Sequence, residues 1–310
     1  MQKPNIYVLV AILILLINNQ SAAQKIKLLK KTHLPGYPSA SSLEFYKDKL
    51  YVIGDDAQSI FILNKDHVLL DSIHLFTSPT KRIDRELKTD LESSIILSQN
   101  GKDYLVAFSS FSTPNRNKII FIELNNTHSQ PRQIIDSIKE TSLNEINIEG
   151  AASLNDQLVL SNRANTTHKY NSLIISSITS EGSSQPDNHK IITLLLPKTK
   201  MIAGISGLEY VKEKDILLFT ASTENTPNAY TDGEIGSSYV GYVKNISKKL
   251  DKKSIKADKL IPISKYLTEK SAQKIESITV EEIRGNKFII HLAADNDNGE
   301  STLFKLRLNL

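Results

Sequence analysis

The sequence predicts an all-β, five-bladed β-propeller. Three observations lead there. An aliphatic–Glu pair recurs five times, at Leu43-Glu44, Leu91-Glu92, Ile148-Glu149, Leu208-Glu209 and Ile275-Glu276. The copies lie about 50 to 65 residues apart, a period of repeat units rather than of one domain read straight through. Each pair is followed by a polar turn, an apolar run, a polar loop and a second apolar run, as in a small antiparallel sheet. The fifth repeat lacks a fourth strand, while an apolar run at Ile26, Leu28 and Leu29 precedes the first repeat and belongs to no other. The N-terminal strand is therefore expected to complete the last blade, closing the ring and leaving few free sheet edges. A sixth blade, the alternative, would have to come from the less regular residues 244–272.

The first residues stand outside that pattern. Lys3, an apolar run over residues 7–17, and the small residues Ser21-Ala22-Ala23 predict a secretory signal peptide cleaved after Ala23. The run is about 11 residues, short of the roughly 20 that span a bilayer. Residues 24–310 then form a single propeller domain, exported to the periplasm or secreted, with no membrane partner after cleavage.

The blades follow in order. In the first, Leu50-Tyr51-Val52-Ile53 and Ser59-Ile60-Phe61-Ile62-Leu63 are strands, and residues 67–75 carry a fourth. The second has the hairpin signal Asn100-Gly101, strands at residues 104–108 and 119–124, and Gln133-Ile134-Ile135. The third has Leu158-Val159-Leu160, residues 172–176 and residues 191–196. The fourth has residues 216–220, a long loop, and residues 239–243. The fifth has residues 278–283, 288–292 and 303–306.

Composition narrows the chemistry. The 310 residues include no Cys, which excludes disulfides and thiolate metal sites, and the formal net charge is +4. The pairs Lys248-Lys249 and Lys252-Lys253 read as a solvated loop, and no nucleic-acid partner is expected. The seven His residues are scattered, and neither Gly-x-Ser-x-Gly nor His-Glu-x-x-His occurs.

Alternation along an inner strand turns Glu44, Glu92, Glu149, Glu209 and Glu276 toward the central channel. Like charges on a narrow axis raise each other's pKa or require a cation. An all-oxygen donor set suits Ca2+, which takes six to eight oxygen ligands at roughly 2.3–2.6 Å. The same glutamates could instead accept backbone hydrogen bonds and lock the ring. Asp295-Asn296-Asp297-Asn298-Gly299 is not an EF-hand loop, because Gly299 falls fifth rather than sixth and Leu306 stands at the twelfth position. Polar loops after each second strand should share one rim: Asp55-Asp56, residues 109–116, Asn162-Arg163 and residues 224–232, with Asp232 and Tyr230 in the last. Arg82, Arg85 and Lys88 could join them. Arg116 and Arg163 could clamp a phosphate or carboxylate, or form salt bridges across the rim.

Four stretches carry a resemblance: Lys88-x-Asp90-Leu91-Glu92; Ser109-x-x-Ser112-Thr113-Pro114-Asn115-Arg116; Asn147-Ile148-Glu149-Gly150-Ala151; and Ala229-Tyr230-x-Asp232-Gly233-Glu234. They resemble an uncharacterised family of exported bacterial β-propellers related to the phytase-like and SdiA-regulated groups. The five-bladed plan also resembles the calcium-activated, apyrase-type nucleotidases. That likeness implies a channel calcium ion at Glu92, Glu149 and Glu276, with Asp55-Asp56 matching an Asp-Asp pair. Asn162-Arg163-Ala164 departs from an Arg-Arg-Ala at Asn162. Without Trp, Tyr230 or Phe111 would have to serve as a base-stacking platform. Two functions stay open. One is a calcium-dependent phosphoester or phosphoanhydride hydrolase. The other is a non-catalytic propeller that binds a small anionic ligand or a protein at its rim, with a structural ion or none.

Overall fold

The computed structural model describes residues 26–125, 130–135, 143, 145–155, 157–177, 189–224, 235–267, 273–295 and 299–310. The segment read as a signal peptide, residues 1–23, lies outside them. Five antiparallel sheets form the five blades. Blade 1 is β2 (Ala40–Tyr46), β3 (Lys49–Gly54), β4 (Ser59–Asn64) and β5 (Leu69–His74). Blade 2 is β6 (Leu91–Gln99), β7 (Lys102–Ser109), β8 (Lys118–Glu123) and β9 (Arg132–Ile135). Blade 3 is β10 (Ile148–Leu154), β11 (Gln157–Asn162), β12 (Asn171–Ser176) and β13 (Lys190–Leu195). Blade 4 is β14 (Ala203–Val211), β15 (Ile216–Glu224), β16 (Ile235–Lys244) and β18 (Lys259–Pro262). Blade 5 is β19 (Lys274–Arg284), β20 (Lys287–Asp295), β21 (Ser301–Asn309) and β1 (Lys27–Leu34). Strand β1 pairs antiparallel with β21, so the two ends of the described chain share one blade, as expected.

The described residues within 244–272, the alternative source of a sixth blade, do something else. After β16 the chain crosses to blade 3, where β17 (Ser254–Lys256) adds in parallel to β13, and then returns as β18 to complete blade 4. The excursion ties two neighbouring blades together and covers an outer edge that would otherwise be open.

The hydrophobic core is divided among the five blade interfaces. Successive residues of a middle strand serve opposite faces. In β3, Leu50 and Val52 pack toward blade 5, whereas Tyr51 and Ile53 pack toward blade 2. This is why middle strands read as unbroken apolar runs rather than alternating ones. Each such side chain, fully buried, contributes roughly 1.5–3 kcal/mol. The Asn100-Gly101 turn has both residues at positive φ (54° and 73°), the geometry that favours this dipeptide.

The seam between blades 1 and 5 carries a buried polar clasp. His67, in the β4–β5 turn, accepts from Thr32 at 2.9 Å through Nδ1 and donates through Nε2 to His291 Nδ1 at 2.8 Å. His291 donates to Glu281 at 2.7 Å, and Lys305 pairs with the same carboxylate oxygen at 2.6 Å. These directions follow from Glu281, which accepts from His291 and so sets the tautomer of each ring in turn. Among the described residues, no helix is long and apolar enough to cross a membrane.

Candidate functional site

The inner strands β2, β6, β10, β14 and β19 each carry a β-bulge near the start. The extra residue is Ser41, Glu92, Glu149, Ser206 and Glu276 respectively. A bulge re-aims its side chain, and these five are the equivalent positions of the repeat. The five glutamates therefore do not form one ring, which corrects that expectation. Glu92, Glu149 and Glu276 share a level. Glu44 and Glu209 lie three residues further along β2 and β14, about 10 Å down the channel. At the upper level Ser41 and Ser206 replace Glu and donate to Leu91 and Ile275 carbonyls in the next blade, each at 2.5 Å.

The residue after each bulge is small: Ser42, Ser93, Gly150, Gly207 and Ser277. Close approach of the inner strands demands it. A Cβ on Gly207 would come 2.9 Å from Ser277 Cα, and one on Gly150 would come 3.0 Å from the Gly207 carbonyl carbon. The repeat signature is thus apolar, then Glu or Ser, then Ser or Gly. The Leu43-Glu44 and Leu208-Glu209 pairs match the shorter aliphatic–Glu pattern in the wrong register.

The upper level opens into a cavity of about 420 Å³. Residues just before each inner strand or at its start line it: Ser39, Asp90, Asn147 and Lys274. Blade 4 offers Gly204 there, and the Arg163 side chain occupies the vacant space, with Cγ 2.6 Å from where a Cβ would sit. The β3–β4 loop adds Asp55 and Asp56, the β7–β8 loop adds Arg116, and the β5–β6 connection adds Arg82, Ile83, Asp84, Arg85 and Lys88.

Two acidic trios stand at the mouth of the channel. In the first, ligand oxygens of Asp55, Asp90 and Glu92 lie within 4.8 Å of one another. Lys88 pairs with Asp55 and, at 2.7 Å, with Asp90. Arg116 Nη1 pairs with the other Asp90 oxygen at 2.8 Å. In the second, Glu224 accepts from Arg163 at 2.8 Å, and Lys274 pairs with Glu276 at 2.8 Å. Arg163 Nη1 stands 3.7 Å from Glu149 and 3.8 Å from Glu276. Asn147 Nδ2 donates to Glu149 at 2.8 Å.

Burial drives the Asp55 carboxyl up to about 7, with Lys88 opposing the rise and Asp56 and Asp90 adding to it. Burial also raises Glu149 to about 7, opposed by Arg163 and reinforced by Glu276. Glu92 is pushed well above the carboxylate range by burial and by Glu149, Asp90 and Asp55. Burial acts on Glu224 too, but Arg163 and Lys274 outweigh it and hold the group low. At the lower level, burial and the facing Glu209 raise Glu44, which accepts from Ser94 at 3.0 Å. Burial takes Glu209 up to about 8 against a hydrogen bond from the Val280 N–H.

The structure brings Asp55, Asp56, Arg116, Glu92 and Glu149 to one cavity. Arg163 is buried behind it and held by Glu224, Glu149 and Glu276 rather than presented to a ligand. Glu276 sits with it, Glu44 and Glu209 lie below, and Tyr230 and Asp232 fall outside the described residues. The sequence does not mark Asp90 and Lys274 as site residues. Their signal is position: each is the residue immediately before the apolar–Glu pair.

Solved structures of low identity are similar to this chain. Glutaminyl cyclase of Myxococcus xanthus is 11% identical with a TM-score of 0.53, over 92% of this chain and 97% of that one. An α-L-arabinanase mutant of Cellvibrio cellulosa is 15% identical with a TM-score of 0.47, over 91% and 92% of the two chains. A putative exported protein of Bacteroides fragilis is 9% identical with a TM-score of 0.45, over 94% and 97%. The likeness to the glutaminyl cyclase is one of fold alone. No curated protein matches the chain. Residues 36–308 match the Family of unknown function (DUF6929), and the chain belongs to that family.

Proposed function

We propose that the mouth cavity binds a divalent cation, calcium by its donor set, through Asp55, Asp90 and Glu92, and that the loaded cavity binds a small anionic ligand. One observation carries this reading. The two trios supply six carboxylates against four cationic side chains, Lys88, Arg116, Arg163 and Lys274, an excess of two negative charges. Burial chiefly raises Asp55, Glu92 and Glu149, and neighbouring carboxylates add to the rise; a hard dication relieves that repulsion with oxygen donors alone. Asp55 Oδ1 and Asp56 Oδ1 are buried at this cavity without a hydrogen-bond partner.

The lining also limits the ligand. Ile83 is the one apolar side chain among the lining residues, so the described wall offers no platform for a nucleobase. A compact phosphate- or carboxylate-bearing molecule fits better, met by Arg82, Arg116 and Lys274. Hydrolysis of a phosphoester is the catalytic extension. It is favoured by Glu149, whose value near 7 suits proton transfer at neutral pH. Bound calcium would polarise a phosphoryl oxygen. The signal-peptide reading places this work outside the cytoplasm, in the periplasm or beyond.

Titration calorimetry of EDTA-treated protein tests the reading. Calcium should bind at one site, more tightly than magnesium, and Glu92→Gln should weaken it at least about tenfold. Inorganic phosphate should then bind only with calcium present, and phosphate release from glycerol 2-phosphate separates a hydrolase from a binder. A protein silent to millimolar calcium would end the proposal.

A further inference from the structure

The connection between blades 1 and 2, residues 75–90, runs along the cavity and lines it with Arg82, Ile83, Asp84, Arg85 and Lys88. It is fastened at two points. At the first, Ile83 N donates to the Asp56 carbonyl at 2.9 Å, and Arg82 Nε pairs with the Asp56 carboxylate at 2.6 Å. At the second, Lys88 enters the cavity and pairs with Asp55 and Asp90, and the Arg85 carbonyl accepts from Arg116 Nη2 at 3.4 Å. Between them Glu86 and Leu87 are exposed, Leu87 at 73%. Lys88 and the proposed ion therefore share two carboxylates, and Lys88 alone of the cavity's cations is carried on this strap and held in that trio. Asp56, which anchors the other end, is 3% exposed and keeps one buried oxygen without a partner in the same cavity.

We propose that Lys88 is a tethered competitor for the divalent ion: its ammonium group holds Asp55 and Asp90 until the ion arrives, and ion binding then releases the 84–88 half of the strap and opens the mouth. This rests on the cation site described above and adds its regulation. The exchange is one of ion pairs, with no bond made or broken. A dication on Asp55, Asp90 and Glu92 draws more from those oxygens than one ammonium can. The freed Lys88 has solvent within reach, because the strap is exposed on its outer side. Arg82 keeps its own partner, so the strap swings at the second fastening and stays fixed at the first.

The test pairs calcium binding with cleavage by a glutamate-specific protease that needs no calcium. Glu86 lies in the strap, and a cut there leaves fragments ending and beginning at residues 86 and 87. In the wild type, calcium should speed this cut several-fold while magnesium changes it little. In Lys88→Met the strap should be cut quickly without calcium and no faster with it. That variant should also bind calcium about tenfold more tightly, within the usual range of coupling between two sites. Lys88→Gln serves as the second variant, and the two wild-type digests need no substitution at all. Calcium binding that leaves the wild-type digest unchanged and is no tighter in Lys88→Met would overturn competition while leaving the cation site standing. No calcium binding by either protein would overturn both.

Discussion

Arg163 lies across Gly204, in space that any other residue at 204 would fill: an added Cβ would come 2.6 Å from Arg163 Cγ and 2.8 Å from Nε. Blade 4 gives up a side chain so that blade 3 can place a guanidinium among Glu149, Glu224 and Glu276. Gly204→Ala should displace that group and cost about 3 kcal/mol, the scale for disrupting a buried ion pair by overpacking. Arg163→Met should cost at least as much, since it leaves three buried carboxylates with Lys274 alone. Urea unfolding of both variants checks this. A Gly204→Ala protein as stable as the wild type would show that Arg163 has another place to go.

Raised carboxylates set a pH dependence. Asp55 and Glu149 stand near 7 and Glu209 near 8, all above their unfolded values of about 4. Between those limits the folded state binds more protons than the unfolded one, so its stability falls as pH rises. Without calcium the protein should lose about 2 kcal/mol or more from pH 6.5 to pH 8.5, above the range in which His67 and His291 act, at about 1.4 kcal/mol per pKa unit less screening. Calcium should remove the part due to Asp55 and Glu92. A midpoint that rises over this range in EDTA would contradict the assignment of the excess charge.

The lower carboxyl pair makes a separate prediction. Glu209→Gln keeps the shape and cannot ionise opposite Glu44. The variant should match the wild type near pH 5 and exceed it by about 1 kcal/mol or more near pH 9, with calcium affinity unchanged. Loss of calcium binding in Glu209→Gln would place the ion at the lower level instead.

The ring plan was legible because a propeller repeats its strand pattern. The count of blades, the closing N-terminal strand and the shared rim of Asp55, Asp56 and Arg116 follow from period and alternation. Register was harder. A bulge inserts one residue, and Leu43-Glu44 imitates Leu91-Glu92 while sitting three positions too late. Ser41 and Ser206, the true counterparts, carry no charge to draw attention. The β17 excursion was hidden because a three-residue strand such as Ser254-Ile255-Lys256 has no periodicity to read. Lys274 and Asp90 became site residues only when four separate strand starts met at one cavity.

The seam clasp predicts behaviour in acid. Burial lowers His67 to about 3, and His291 is lowered as well, chiefly by burial. Each is neutral when folded and gains a proton when unfolded, so stability is lost as pH falls below about 6.5. His67→Gln retains an amide that can bond to His291 but cannot titrate. Its stability should fall less steeply between pH 6 and pH 4 than that of the wild type, in chemical denaturation at matched ionic strength. Equal slopes would show that His67 takes no part in the acid response.

The most direct test of the central claim is the thermal midpoint of the protein in EDTA, in calcium and in magnesium, for the wild type and Glu92→Gln. Binding to the folded state alone stabilises by RT ln(1 + [L]/Kd), about 2.7 kcal/mol at a hundredfold excess over Kd. The account predicts a calcium-selective rise of that order in the wild type, larger at pH 8 than at pH 5.5, and largely absent in Glu92→Gln. A midpoint indifferent to calcium at both pH values would mean that Lys88, Arg116, Arg163 and Lys274, with protons, balance the mouth by themselves.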